Sequence, residues 1–166
     1  MKRTGWMLRL DLPSDPEMLS VVRCAMMRLT EELGFPAAEC RGLTRAVDEA
    51  LANIIRHAYG GRAGQPIELT CRLLKERTGK RRAGLEILLV DRGTPVDRKK
   101  LRGRALDDIR PGGLGLYLIQ NGVDVMQYTT KGGKNRLRLV KYSPAVAAEA
   151  KMAKGGNGEN FNPPIG

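Results

Sequence analysis

The sequence predicts a two-layer α/β sandwich: a mostly antiparallel mixed sheet with helices packed on one of its faces. Three observations carry this. Segments whose apolar residues alternate lie at residues 6–12 and 66–74, and two further strand-like segments close the ordered part at 123–129 and 136–142. Helical periodicity is gathered between residues 15 and 59. Residues 84–90 form a nearly continuous apolar run, as a strand buried on both faces requires. The order is therefore strand, two helices, hairpin, long irregular segment, short helix, hairpin.

Each element has its own justification. Trp6, Leu8, Leu10 and Leu12 alternate with Met7, Arg9 and Asp11, as in a half-buried strand, and Pro13 ends it. Ser14 or Asp15 can cap the following helix, with Pro16 in its first turn and Glu17 suited to the helix dipole. That helix runs to about Leu33, with Met18, Val21, Val22, Ala25, Met26, Leu29 and Leu33 on its core face, and Gly34 stops it. Met26 and Met27 read as core filler rather than a cofactor or partner surface. After Phe35-Pro36 a second helix begins near Ala37 and ends at Gly60-Gly61, with Ala46, Val47, Ala50, Leu51, Ile54, Ile55 and Ala58 as its apolar stripe. In the next strand Ile67, Leu69, Cys71 and Leu73 share a face. Residues 75–82, with Gly79, read as a hairpin loop leading to the central strand.

Residues 94–111 are polar, basic and irregular, with room for one short helix at 101–106. Segments of this length in compact domains tend to be lids or binding segments. Gly112-Gly113-Leu114-Gly115 opens a short helix to about Asn121, and Lys131-Gly132-Gly133-Lys134 joins the two closing strands. Residues 1–143 thus form one domain. Residues 144–166 form a tail, a weak helix followed by Gly, Asn and Pro with little to bury, which is expected to be mobile.

Composition narrows the function. A hydrophobic content of 42% supports a packed core, and with only 4% aromatics that core must be aliphatic. The net charge of +11 implies an acidic partner: nucleotide phosphates, nucleic acid or an acidic protein. The charge is concentrated. Residues 72–82 hold six Lys/Arg against one Glu, and residues 98–104 hold five with no acid. Aromatics for base stacking are few and no helix-turn-helix or zinc-finger pattern stands out, so nucleic acid is disfavoured. Cys24, Cys40 and Cys71 are odd in number and lack metal spacing, so they read as free, buried thiols in a reducing compartment. No signal peptide or membrane-length apolar stretch is present, which predicts a cytoplasmic protein and no membrane partner.

Three short motifs carry the chemistry. On the second helix, Glu49, Asn53 and His57 recur every four residues, so each lies about 40° from the last, along one edge of the apolar stripe. Such a row is either a solvated helix edge or a set of polar groups held for a ligand. Asp91-x-Gly93 stands where the buried strand ends, and taken alone is most often a turn. Gly112-Gly113-x-Gly115 stands where the irregular segment becomes a helix, and is either a common helix start or a phosphate site.

In this order, and on helix, strand end and helix start, the segments DEALANIIRHAY (48–59), VDRGTPVD (90–97) and PGGLGLYLIQNGVDVMQY (111–128) resemble the Bergerat-fold (GHKL) ATP-binding domains of gyrase-type and histidine-kinase proteins. The chain is most similar to the small anti-sigma-factor serine/threonine kinases of bacterial partner switching, over roughly residues 8–142. The resemblance implies ATP and Mg²⁺ as cofactors. Asn53 would be the metal ligand, its side-chain carbonyl a hard oxygen donor, and Glu49 the catalytic general base toward an attacking hydroxyl. Asp91 would accept a hydrogen bond from the adenine amino group, with Gly93 letting the base approach the backbone. Gly112, Gly113, Leu114, Gly115 and Leu116 would form the phosphate-binding helix start, and the basic segment ending at Arg110 would close over the triphosphate. His57 keeps a supporting role, because a phosphoacceptor histidine in the related sensor kinases lies on a separate dimerisation helix. One departure stands out. The resembling proteins carry Gly-Thr in the closing hairpin, with the Thr near adenine, whereas Gly133-Lys134-Asn135 occupies that region here, so Asn135 is the stand-in.

The implied activity is phosphorylation of a Ser or Thr on a small anti-anti-sigma (antagonist) protein. A sigma factor would be the second partner, and the protein a homodimer. The alternative is a nucleotide-responsive binding module that sequesters a partner without transferring phosphate.

Overall fold

The computed structural model describes residues 6–74, 83–96 and 114–142. The hairpin loop expected at 75–82, the segment at 97–113 with its short helix, and the tail from 143 lie outside the described residues. Five strands form one sheet: β1 (Trp6–Pro13), β2 (Pro66–Leu74), β3 (Gly84–Asp91), β4 (Val125–Lys131) and β5 (Lys134–Tyr142). Its spatial order is β1-β2-β3-β5-β4, and every pairing among the described strands is antiparallel. β3 is the central strand, as its apolar run requires. A register shift between Trp6 and Leu8 breaks the expected alternation: Trp6 pairs with Arg72 whereas Leu8 pairs with Cys71. Gly132 and Gly133, both with positive φ (60° and 67°), make the two-residue turn from β4 to β5.

Three helices cover one face: α1 (Met18–Glu32), α2 (Ala37–Asn53) and α3 (Leu114–Gly122). Between them and the sheet lies an aliphatic core in which Leu69, Cys71, Leu85, Ile87, Leu89 and Leu139 meet Met26, Leu43, Ala46 and Val47. α1 ends as its sequence predicts. Gly34 (φ 71°) takes the left-handed position, Gly34 N–H bonds Glu31 O and Phe35 N–H bonds Thr30 O, which satisfies two terminal carbonyls. Its start differs from expectation. No side chain caps α1. Ser14 is drawn away to the 62–65 loop, where its hydroxyl donates to Arg62 O (2.6 Å) and accepts from Gln65 N–H (2.9 Å). Asp15 accepts from Gly64 N–H (3.1 Å). Residues suited to capping instead tie the start of α1 to the loop before β2. Val21, expected in the core, is 52% exposed. Cys40 and Cys71 are buried as expected, but Cys24 is exposed.

The second helix is not α-helical throughout. Its last turn, Ile54–Ala58, is a π-helical turn. All seven residues of the expected apolar stripe are nonetheless buried. Among the described residues no helix is long and apolar enough to cross a membrane.

Candidate functional site

α2 and α3 cross closely because both lack side chains where they touch. A Cβ on Gly122 would sit 2.5 Å from Gly42 O and 2.8 Å from the Ala46 Cβ. Seven residues earlier on α3, a Cβ on Gly115 would sit 2.9 Å from Glu49 Oε2 and 3.7 Å from Asn53 Nδ2. On α2 the facing residues Gly42, Ala46, Glu49 and Asn53 repeat at three- and four-residue steps. Two turns of one helix are thus matched to two turns of the other, roughly 10 Å along each. The small-residue end sets the spacing, and the polar end places the Gly115 backbone against the Glu49 carboxylate and the Asn53 amide. The first and third motifs meet here.

The second motif is held by the π turn. Ala58 ends the turn, so its carbonyl is free to accept Thr94 N–H (2.8 Å), while the π widening shows in the Tyr59 N–H bond to Ile54 O (2.9 Å). Tyr59 then donates its phenol to Pro66 O (2.6 Å) and accepts from Arg92 N–H (2.9 Å). Burial holds that phenol above its ordinary pKa, against the opposing Arg92 N–H bond. Gly93 packs directly on Ala58: a Cβ there would lie 2.4 Å from Ala58 O. The close approach that requires glycine at 93 is therefore to the helix end, a neighbour the sequence did not reveal.

Asp91 is 5% exposed at the end of β3 and faces Asn135 across the β3–β5 pairing. Its Oδ1 accepts from Gly93 N–H (2.8 Å) and from Asn135 Nδ2 (2.8 Å). Asn135 also donates to Gly93 O (3.0 Å) and accepts from Thr130 Oγ1 (3.1 Å).

Both sets of residues line one cavity of about 830 Å³, within the range of small-ligand sites. Glu49, Asn53, Arg56, His57 and Gly115 border it, together with Asp91, Thr94 and Tyr128, and Leu116, Ile119, Met126 and Leu137 supply apolar wall. Tyr128 also accepts Val96 N–H (2.9 Å), which fixes the last described residue before 97–113. The polar groups here are under-used compared with their neighbours. Asp48, beside Glu49, is fully engaged by Arg23 through two bonds of 3.0 and 3.1 Å. Among the described residues, by contrast, the Asn53 amide and Asp91 Oδ2 have no hydrogen-bond partner, and Glu49 has only a 3.6 Å ion pair with Arg56. Buried or half-buried polar groups with spare capacity around one cavity are what a polar ligand satisfies.

Of the expected site residues, Glu49, Asn53, Asp91, Gly93, Gly115, Leu116 and Asn135 are brought to this cavity or to its immediate wall. Arg110, Gly112 and Gly113 lie outside the described residues, and Leu114 is described as the first residue of α3. His57 is exposed at the cavity border, so its supporting role is not core packing. The π turn shifts it off the α-helical row in which the sequence placed it. Reasoning from sequence missed Arg56, Tyr59, Tyr128, Thr130 and the Gly42–Gly122 contact. For Arg56 a signal existed, because it stands seven residues after Glu49 on the same helix face.

Comparison with known proteins gives a match to the histidine kinase-like ATPase domain over residues 12–141. The serine-protein kinase RsbW of Bacillus pumilus is 28% identical over 141 residues, covering 80% of this chain and 84% of that protein. A chain in the crystal structure of the SiaB-SiaC complex from Pseudomonas aeruginosa superimposes with a TM-score of 0.61 at 14% identity, covering 83% of this chain and 90% of that one. The crystal structure of the RsbU and RsbW domains of Rv1364c from Mycobacterium tuberculosis gives a TM-score of 0.54 at 15% identity over 82% of this chain; the match spans 32% of that longer chain. At these identities the solved structures bear on the fold alone, and they agree with the two-layer sandwich.

Proposed function

The chain belongs to the histidine kinase-like ATPase domain family, and from that premise we propose that it is an ATP-dependent serine/threonine protein kinase that acts as an anti-sigma factor. Its substrate is a small anti-anti-sigma protein, and a sigma factor is its second partner. The observation that carries the reading is the contact of Gly115 with Glu49 and Asn53 at a cavity that Asp91 also lines. The kinase names of the relatives support the protein-substrate half of it.

In this reading the apolar wall of the cavity would hold the adenine, with Asp91 accepting from its amino group, and the start of α3 would hold the phosphates, since backbone N–H groups and the helix dipole favour anions there. Glu49 accepts the proton of the attacking Ser or Thr hydroxyl. The oxygen of that substrate hydroxyl forms the new bond to the γ-phosphorus as the bond to the ADP oxygen breaks. The residues fit Mg²⁺, which takes one or two protein oxygens and fills its shell with phosphate and water. Asn53 offers such an oxygen on an amide with no other partner, and the described residues hold no cluster of acids or histidines that would cage the ion. When bound, Mg²⁺ supplies charge neutralisation at the phosphates.

The Arg56 guanidinium, 3.6 Å from Glu49, favours a second reading in which the base is kept paired and the protein only docks its partner in response to nucleotide. One experiment separates the two. The chain is mixed with ATP, Mg²⁺ and its cognate antagonist, and phosphoserine or phosphothreonine is followed. Transfer that falls by a factor of about 100 or more in Glu49→Ala, with ATP binding retained, supports the kinase. Tight ATP binding without transfer selects the docking module.

A further inference from the structure

We propose that Asn135 is a positioning residue that sets base selectivity, by holding Asp91 with one carboxylate oxygen occupied and the other presented to the cavity. The inference rests on the nucleotide reading above and deepens it. Asn135 is 2% exposed, and its amide is fully used inside the protein. One Nδ2 hydrogen goes to Asp91 Oδ1 (2.8 Å) and the other to Gly93 O (3.0 Å), while its Oδ1 accepts from Thr130 Oγ1 (3.1 Å). Both nitrogen partners are acceptors, so the amide has one allowed orientation. It has no donor left for a bound base. Its effect on a base must pass through Asp91.

Asp91 Oδ1 also accepts Gly93 N–H (2.8 Å), so two donors pin that oxygen. Oδ2 has no partner among the described residues, and Asp91 lines the cavity. A carboxylate accepts and does not donate. The free oxygen therefore demands an N–H from the ligand. In a pose that points the 6-position of the base at Asp91, the 6-amino group of adenine provides it, whereas the 6-oxo group of guanine sets one lone pair against another. The carboxylate of Asp91 can turn about its last torsion unless something fixes it. The Thr130–Asn135–Asp91 chain, running across β4, β5 and β3, fixes it together with the Gly93 N–H. It also ties the same amide to the Gly93 carbonyl, so the carboxylate and the loop that follows it are held in one frame.

Titration calorimetry with ATP and with GTP, each with Mg²⁺, tests this on the full chain and on Asn135→Ala, Asn135→Thr and Thr130→Val. The wild type is expected to prefer ATP. Asn135→Ala should narrow the ATP-over-GTP preference about tenfold or more, mainly by weakening ATP, since a mispaired polar group in such a site costs at least that factor. Asn135→Thr, with one hydroxyl for two acceptors, should fall between, and Thr130→Val should narrow the preference least. Thermal unfolding of each variant reports whether it folds, and if Asn135→Ala does not, Asn135→Thr decides. An unchanged ATP-to-GTP ratio in folded Asn135 variants would overturn the inference and leave Asn135 a structural residue. So would a wild type that binds both nucleotides equally. A wild type that binds neither defeats the nucleotide reading itself, and the inference with it.

Discussion

Glu86 lies on the sheet face turned away from the helices, at 3% exposure, between two arginines. Arg72 donates to its Oε1 and Arg138 Nε donates to its Oε2 at 2.6 Å. Burial alone would raise the carboxyl pKa. The two guanidinium hydrogen bonds and charges outweigh it and hold the group below the ordinary glutamate value. A carboxyl whose pKa is lowered by folding stabilises the native state above its unfolded pKa. That contribution is lost as pH falls through the lowered folded value. Glu86→Gln should cost about 1–2 kcal/mol at neutral pH, less than for a sealed ion pair because Arg72 and Arg138 stay 46% and 33% exposed. It should also flatten the acid limb of stability, which urea unfolding at a series of pH values would measure. Sequence alone hid this triad. Glu86 sits inside an apolar run and Arg72 opens a basic one, and only the register that pairs Arg72 with Glu86 and β5 with β3 joins them. Cys71, on the opposite face, was legible as an apolar position, and burial pushes its thiol up to about 12.

At the scale of elements, the antiparallel crossing of α2 and α3 decides whether there is a site. A Cβ at Gly122 would lie 2.5 Å from Gly42 O, well inside contact distance, and that obstacle is backbone, which cannot rotate away. Gly122→Ala should therefore cost about 1–3 kcal/mol by overpacking. It should also weaken nucleotide binding, because α3 can relieve the clash only by moving Gly115 off Glu49 and Asn53. Chemical denaturation measures the first effect and ATP titration the second. A stability loss with ATP affinity unchanged would show that the two ends of the crossing are uncoupled. The apolar stripe of α2 was fully legible, since burial follows periodicity and all seven stripe residues are buried. The π turn at Ile54–Ala58 was not. It is imposed by what the helix end must reach, the Thr94 N–H and the Gly93 backbone, and these partners are some 35 residues away in sequence. The same holds for Ser14 and Asp15: their residue types fitted a cap, and a distant loop claimed them instead.

For the molecule as a whole, the cavity is the place where the helix layer and the sheet meet without filling the space between them. The strand-helix order in the sequence was enough to predict two layers and a central β3. It could not predict that β5 inserts between β3 and β4, which puts Asn135 beside Asp91. A ligand in the cavity would touch α2, α3, β3 and β4 together, and binding to the folded chain alone adds to its stability. At a ligand concentration of roughly 100 times Kd the gain is about 2.7 kcal/mol. For a chain of this size each kcal/mol moves Tm by about 2–4 °C, so ATP with Mg²⁺ should raise Tm by roughly 5–10 °C. Removing the metal with EDTA should reverse most of the shift, since triphosphate charge would then meet Glu49 unscreened. Asn53→Ala should show little Mg²⁺-dependent shift while unfolding near the wild-type Tm without nucleotide, because its half-buried amide makes no hydrogen bond among the described residues whose loss would destabilise the fold. Thermal shift also separates a specific site from the general attraction of a chain with net charge +11 for polyanions. Non-specific binding weakens steeply with salt and would treat inorganic triphosphate as it treats ATP. A shift that persists at high salt, needs the adenine base and disappears in Asn53→Ala belongs to the cavity. One that inorganic triphosphate reproduces belongs to the surface charge.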